Sequence, residues 1–165
     1  MSSTPAAPQI LKVNYHVIRK SDGTGGYVLN DVIQAHGILE GDFNPHGIFF
    51  SWDGCVNYID DDAYFTSTTS GIYQEDNHDD GIDIYLFPPS HPTTGGRANG
   101  VGGSTEFWVA GSWPGTGPTA LSHIISHEMG HVLFLWHTHH GTFPEGGDPG
   151  ECPELVDGTN AAYCG

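Results

Sequence analysis

From Ile10 to Lys20, apolar and polar positions alternate: Leu11, Val13, Tyr15 and Val17 interleave with Lys12, Asn14 and His16. A period of two is the mark of a strand with one face turned to a core. A Gly-rich turn at Gly23–Gly26 follows, and the period then changes. Val32, Ala35, His36, Leu39 and Phe43 recur at three- and four-residue intervals, as on one face of a helix. Asp31 with Gln34 reads as a capping box at its start, and Asn44-Pro45 stops it. His36 on that face reads as a core or boundary histidine rather than a ligand. Strand signals return at Gly47–Trp52, extending towards Ile59, and at Gly81–Phe87, where Ile82, Ile84 and Leu86 alternate before Pro88-Pro89. The glycine-rich stretch Arg97–Gly103 reads as a short edge strand, and Thr105–Ala110 as the last strand. A helix crossing between the first two strands favours parallel pairing there.

The helical period resumes over about residues 119 to 135. Leu121, Ile124, Ile125, Val132 and Leu135 form one apolar stripe, Gly115–Pro118 marks a loop before it, and Thr119 fits an N-cap. This helix carries His127-Glu128-Met129-Gly130-His131, and His137 follows six residues later. His127 and His131 lie one turn apart on one face, about 6 Å along the axis, so their ring nitrogens can converge on one tetrahedral zinc. Glu128 projects into the apolar stripe, where a carboxylate is costly without a partner. A zinc-bound water supplies one, and Glu128 can take its proton as the water attacks a carbonyl. With eleven histidines in 165 residues, a chance match to this whole pattern is expected roughly 0.002 times. The bland alternative, a buried helix with hydrogen-bonded histidines, is therefore the weaker reading.

The run from His127 to His137 resembles the zinc motif of the metzincin metallopeptidases, His-Glu-x-x-His-x-x-Gly-x-x-His. Its flanks, His-Glu-Met-Gly-His-Val-Leu and Leu-Trp-His-Thr-His, resemble more narrowly the pappalysin family of that clan. The resemblance implies His127, His131 and His137 as zinc ligands and Glu128 as general base. It also implies a polypeptide substrate lying across a sheet edge above the zinc, with Gly100, Val101 and Gly102 as candidate substrate-binding positions. The fold implied is α+β: a metzincin-like upper subdomain with a twisted, mostly parallel sheet, a backing helix and an active-site helix. Phe134 stands where the family has glycine, the residue at which the helix must stop and turn. Either His137 still binds after such a turn, or His139 or His140 takes its place. Metzincins continue to a methionine-bearing turn below the zinc, whereas this chain has only Met1 and Met129, so the lower subdomain is expected to be short or missing. A gluzincin arrangement would need a ligand from a later helix, but Glu145, Glu151 and Glu154 lie among Gly and Pro residues.

Charge narrows the partners. Four basic residues face twenty acids, for a formal charge of −16, a balance that repels phosphate backbones and anionic membrane surfaces. Nucleic acid is thus not an expected partner, and no apolar run approaches the ~20 residues of a membrane span. Asp60-Asp61-Asp62 and Asp76 to Asp83 are candidate Ca2+ sites, set against the plainer reading of solvated acidic loops. Met1–Gln9 reads as a disordered lead of a processed or recombinant chain, and residues 10–165 as one metallopeptidase domain ending in an irregular Cys/Gly/Pro-rich tail over 138–165. Cys152 and Cys164 could pair with each other, whereas the pappalysin resemblance implies that each paired with cysteines further along. Cys55 reads as a buried small hydrophobe. The expected function is a secreted zinc endopeptidase, with a non-catalytic zinc-binding pseudo-protease or truncated remnant as the alternative.

Overall fold

The opening alternation becomes β1 (Gln9–Arg19), the strand on which the sheet is built. The computed structural model describes residues 7–92, 95–111 and 123–137. The chain divides into two compact units, Met1–Phe134 and Leu135–Gly165; every element named below belongs to the first. Helix α1 (Leu29–Phe43) follows β1, and Asp31 sits inside its first turn, its carboxylate accepting the Val28 N–H at 2.9 Å. The expected cap residue is thus an acid of the first turn instead. A 3-10 turn at Asn44–His46 ends at Gly47, whose φ of 76° reverses the chain.

The expected strand from Gly47 towards Ile59 is two strands, β2 (Ile48–Ser51) and β3 (Val56–Asp60). Both pair in parallel with β1, β2 along its first half and β3 along its second. The intervening Trp52–Cys55 turn is closed by Asp53, which accepts the Cys55 N–H at 2.8 Å. Cys55 is exposed there, against the expectation of burial, because a residue in this surface turn faces neither side of the sheet. Next come a short helix, α2 (Asp62–Thr66), a second 3-10 turn (Ser70–Gln74), and strands β4 (Ile82–Leu86), β5 (Gly95–Ala98) and β6 (Glu106–Ala110). The sheet runs β2-β1-β4-β6-β5, parallel except for β5, which pairs antiparallel with β6 at one edge. The βαβ start and the mostly parallel α+β architecture are as expected.

Both sheet faces are covered. Val13, Tyr15 and Val17 of β1 join Ile84, Phe107 and Val109 beneath α1 and the last helix, α3 (Ile124–Val132). The opposite face carries Ile18, Tyr85 and Trp108 under Ile72 and Tyr73, with Tyr64 and Phe65 at the margin. Each fully buried large apolar side chain contributes about 1.5–3 kcal/mol. β4 is buried at all five positions because it has strands on both sides and cover on both faces.

Candidate metal centre and its surroundings

Helix α3 is anchored by Ile125 and Met129, both fully buried in the core shared with α1. That anchoring fixes which way the other faces point. His127 is exposed and His131 half-buried, and their Nε2 atoms stand 3.1 Å apart. The edge of a tetrahedron with metal–nitrogen bonds of about 2.0–2.1 Å is about 3.3 Å. The two rings are therefore set as a pair of metal ligands would be.

Glu128, next along α3, packs against β5 and is only 6% exposed. Its Oε2 accepts the Ala98 N–H at 2.8 Å. The strand can come this close because residue 96 is glycine: a Cβ there would lie 2.6 Å from Glu128 Cγ and 2.8 Å from Ile124 Cγ2. Burial raises the Glu128 carboxyl above its ordinary pKa, while the Ala98 N–H and nearby His131 act in the opposite direction. A buried carboxyl whose pKa is raised gives up its proton less readily than an exposed one and takes one up more readily.

The helix stops at Val132 rather than near residue 135. Leu133 N–H donates to Met129 O at 3.0 Å and Phe134 N–H to His131 O at 3.1 Å. Phe134 then takes φ of 70°, the left-handed conformation usually given to glycine at a helix end. The Gly102 N–H also donates to His131 O, at 2.8 Å, tying the loop after β5 to the end of the helix. The Phe134 ring lies where a Cβ on Gly102 would sit, 1.9 Å from its Cδ1. His137 lies three residues past this bend, in the second unit. His139 and His140 lie outside the described residues, as do Thr119, Leu121, Cys152 and Cys164.

The edge strand is Gly95–Ala98, and Gly100, Val101 and Gly102 follow it in a loop rather than within it. Gly100 at φ 151° and Gly102 at φ 62° hold conformations that break strand geometry.

The two acidic runs are used differently. Asp60 pairs with Arg19 through two contacts of 2.7 and 2.8 Å. Asp61 caps α2 by accepting from the Ala63 and Tyr64 N–H groups, and Asp62 accepts the Ser21 N–H at 3.1 Å. Asp83, at the end of the other run, is fully buried beside His16 and His78. Local sequence pattern singles out neither histidine. His16 is only the polar half of a strand alternation, and His78 one residue in an acidic loop. The pairing of β1 with β4 is what brings them together.

No protein-family model matches the chain. The chain is similar to an extracellular metalloprotease of Podospora anserina, 27% identical over 157 residues, covering 84% of this chain and 53% of that protein. It spans about half the length of that relative. At that distance the likeness supports a relationship to metalloproteases, in a chain whose first unit carries His and Asp side chains grouped closely enough to hold a metal ion.

Proposed function

We propose that this chain is a zinc-dependent endopeptidase domain of the metzincin type, pappalysin-like in character, acting on polypeptides outside the cell. The observation that carries the proposal is the pair of ring nitrogens 3.1 Å apart on α3, with the buried Glu128 carboxyl between that helix and a sheet edge. His127, His131 and His137 are the proposed ligands. The bend at Phe134 supports the third, since on a straight helix His137 would lie about 15 Å along the axis from His127. Imidazole nitrogens suit zinc, and bound zinc acidifies a water and polarises a peptide carbonyl.

The chain's own residues supply the rest. Glu128 takes a proton from the attacking water and returns it to the leaving amine nitrogen, roles its raised pKa fits. The substrate lies extended along the outer edge of β5, held by main-chain hydrogen bonds, with Gly100, Val101 and Gly102 near its path. The extracellular relative supports secretion. Residues 10–165 form the proposed metallopeptidase domain.

The test is digestion of a peptide library by the zinc-loaded wild type and by Glu128→Gln, with metal analysis of both and of His131→Ala. Cleavage abolished by a chelator and by Glu128→Gln, with zinc retained in Glu128→Gln but reduced in His131→Ala, is the expected outcome. Zinc bound at His131 without any cleavage would instead assign the chain as a non-catalytic zinc-binding domain.

A further inference from the structure

A second group of metal-ligating side chains sits on the sheet face opposite α3. His16 projects from β1 and Asp83 from β4, and neither side chain has any exposed surface. His78, from the loop before β4, closes the group from outside and is 35% exposed. His16 Nε2 and His78 Nδ1 both approach Asp83 Oδ1, at 2.7 and 2.8 Å. One atom from each of the three residues falls within a 4.8 Å span.

We infer that His16, His78 and Asp83 form a second cation site, selective for zinc-class ions, that fastens the Glu75–Gly81 loop to the sheet. The donor set decides the class of ion. Two imidazole nitrogens and one carboxylate oxygen suit a borderline d-block cation, whereas Ca2+ takes six to eight oxygens. This replaces the Ca2+ expectation for Asp83.

The surroundings hold Asp83 and His78 as the outer shell of a metal site does, whereas His16 Nδ1 is buried without a hydrogen-bond partner among the described residues. Asp83 Oδ2, the oxygen turned away from His16, accepts the His78 backbone N–H at 3.0 Å. The second ring nitrogen of His78 lies 3.4 Å from the Asn57 side-chain amide, whose oxygen can be turned towards it. The His16 ring stacks on Tyr85 with centroids 4.5 Å apart, which fixes its plane. A tetrahedral ion needs its donors about 3.3 Å apart, so the three must spread by about half an ångström. His78, on a loop, can widen its own distance to Asp83 Oδ1, and the Asp83 carboxylate must turn to widen the one to His16. The exposed side of His78 is the entry path, and Glu75, Asp76, Asp79 and Asp80 on the same loop concentrate cations there.

The site is independent of α3, so its test starts from the chain lacking the first site. The full chain carrying His127→Ala and His131→Ala is stripped with a chelator and titrated calorimetrically with Zn2+ alone. One ion bound per chain, a raised melting temperature, and loss of both on adding His78→Ala or His78→Gln is the expected result. Both His78 variants change a partly exposed loop residue, and far-UV circular dichroism checks that they fold. No stoichiometric zinc in the starting variant, or zinc that survives both folded His78 variants, would overturn the inference and leave a hydrogen-bonded His-Asp-His cluster. Neither result depends on whether the chain cuts peptides.

Discussion

At Phe134 the backbone adopts φ of 70°, a conformation that costs a residue with a side chain roughly 1–3 kcal/mol. The ring offsets part of that cost by lying on Gly102, itself at φ 62° and without the Cβ that would collide with it. The two residues are therefore coupled. Gly102→Ala should cost about 1–3 kcal/mol in the wild type and about 1 kcal/mol less in a Phe134→Gly background, where the collision is gone but the backbone strain stays. Urea denaturation of the four chains measures this difference, and equal costs in both backgrounds would show that the contact is not formed. His36 makes a separate prediction. Its Nδ1 stands 3.1 Å from the buried Tyr15 hydroxyl, and burial lowers its pKa below 6.5 despite the opposing pull of Glu40. A histidine with a depressed folded pKa gives stability that is complete above about pH 6.5 and is lost as pH falls through the folded value. His36→Leu should remove that part of the pH dependence between pH 7 and 5. It should also cost about 1–3 kcal/mol at pH 7 by leaving the Tyr15 hydroxyl without its partner. Melting curves across that range test both effects; an unchanged pH slope would exclude His36 as the group responsible.

The close approach of β5 to α3 is the contact on which the candidate site depends, and Gly96 permits it. A methyl group at 96 must push the strand away from Glu128 and Ile124. Gly96→Ala should destabilise the fold by about 1–3 kcal/mol and break the Ala98 N–H···Glu128 bond, so the Ala98 amide should exchange with solvent faster. Hydrogen exchange of the variant checks this, and unchanged protection at Ala98 would mean that strand and helix are less tightly set. The sequence can show that β5 is glycine-rich but not which glycine meets the helix, since that meeting joins positions 32 residues apart. Elsewhere, legibility follows range in the same way. The strand period of β1 and the helical face of α1 are local and readable, down to Val32, Ala35, Leu39 and Phe43. The His127/His131 pair is readable because one turn of helix sets its geometry. The short α2 escapes notice because its signal is a single aspartate cap, hidden in an acidic run that looks like a solvated loop or a calcium site. The apolar stripe places the end of α3 too late because nothing in it announces a left-handed phenylalanine. The His16–Asp83–His78 group is invisible in sequence because it depends on strand register.

At the scale of the whole molecule, twenty acids against four bases make charge a property of the entire chain rather than of a set of pairs. That imbalance bears on stability. The ion pairs formed by Lys12 with Asp80 and by Arg19 with Asp60 lie at the surface, where such pairs contribute about 0–1 kcal/mol and weaken as salt is added. Opposing them is the mutual repulsion of a chain at −16, which compaction worsens and salt relieves. With so few cations to pair, repulsion outweighs attraction. The melting temperature should therefore rise by a few degrees as NaCl goes from about 10 mM to about 200 mM, where the screening length falls to about 7 Å. The rise should then flatten, and it should be smaller after acidic surface residues such as Glu40 or Asp79 are changed to their amides. A thermal scan at fixed metal content separates this from ion binding at either histidine group. A melting temperature that falls with salt would mean that the few local pairs outweigh the net charge, and that the acids are spaced widely enough not to feel one another.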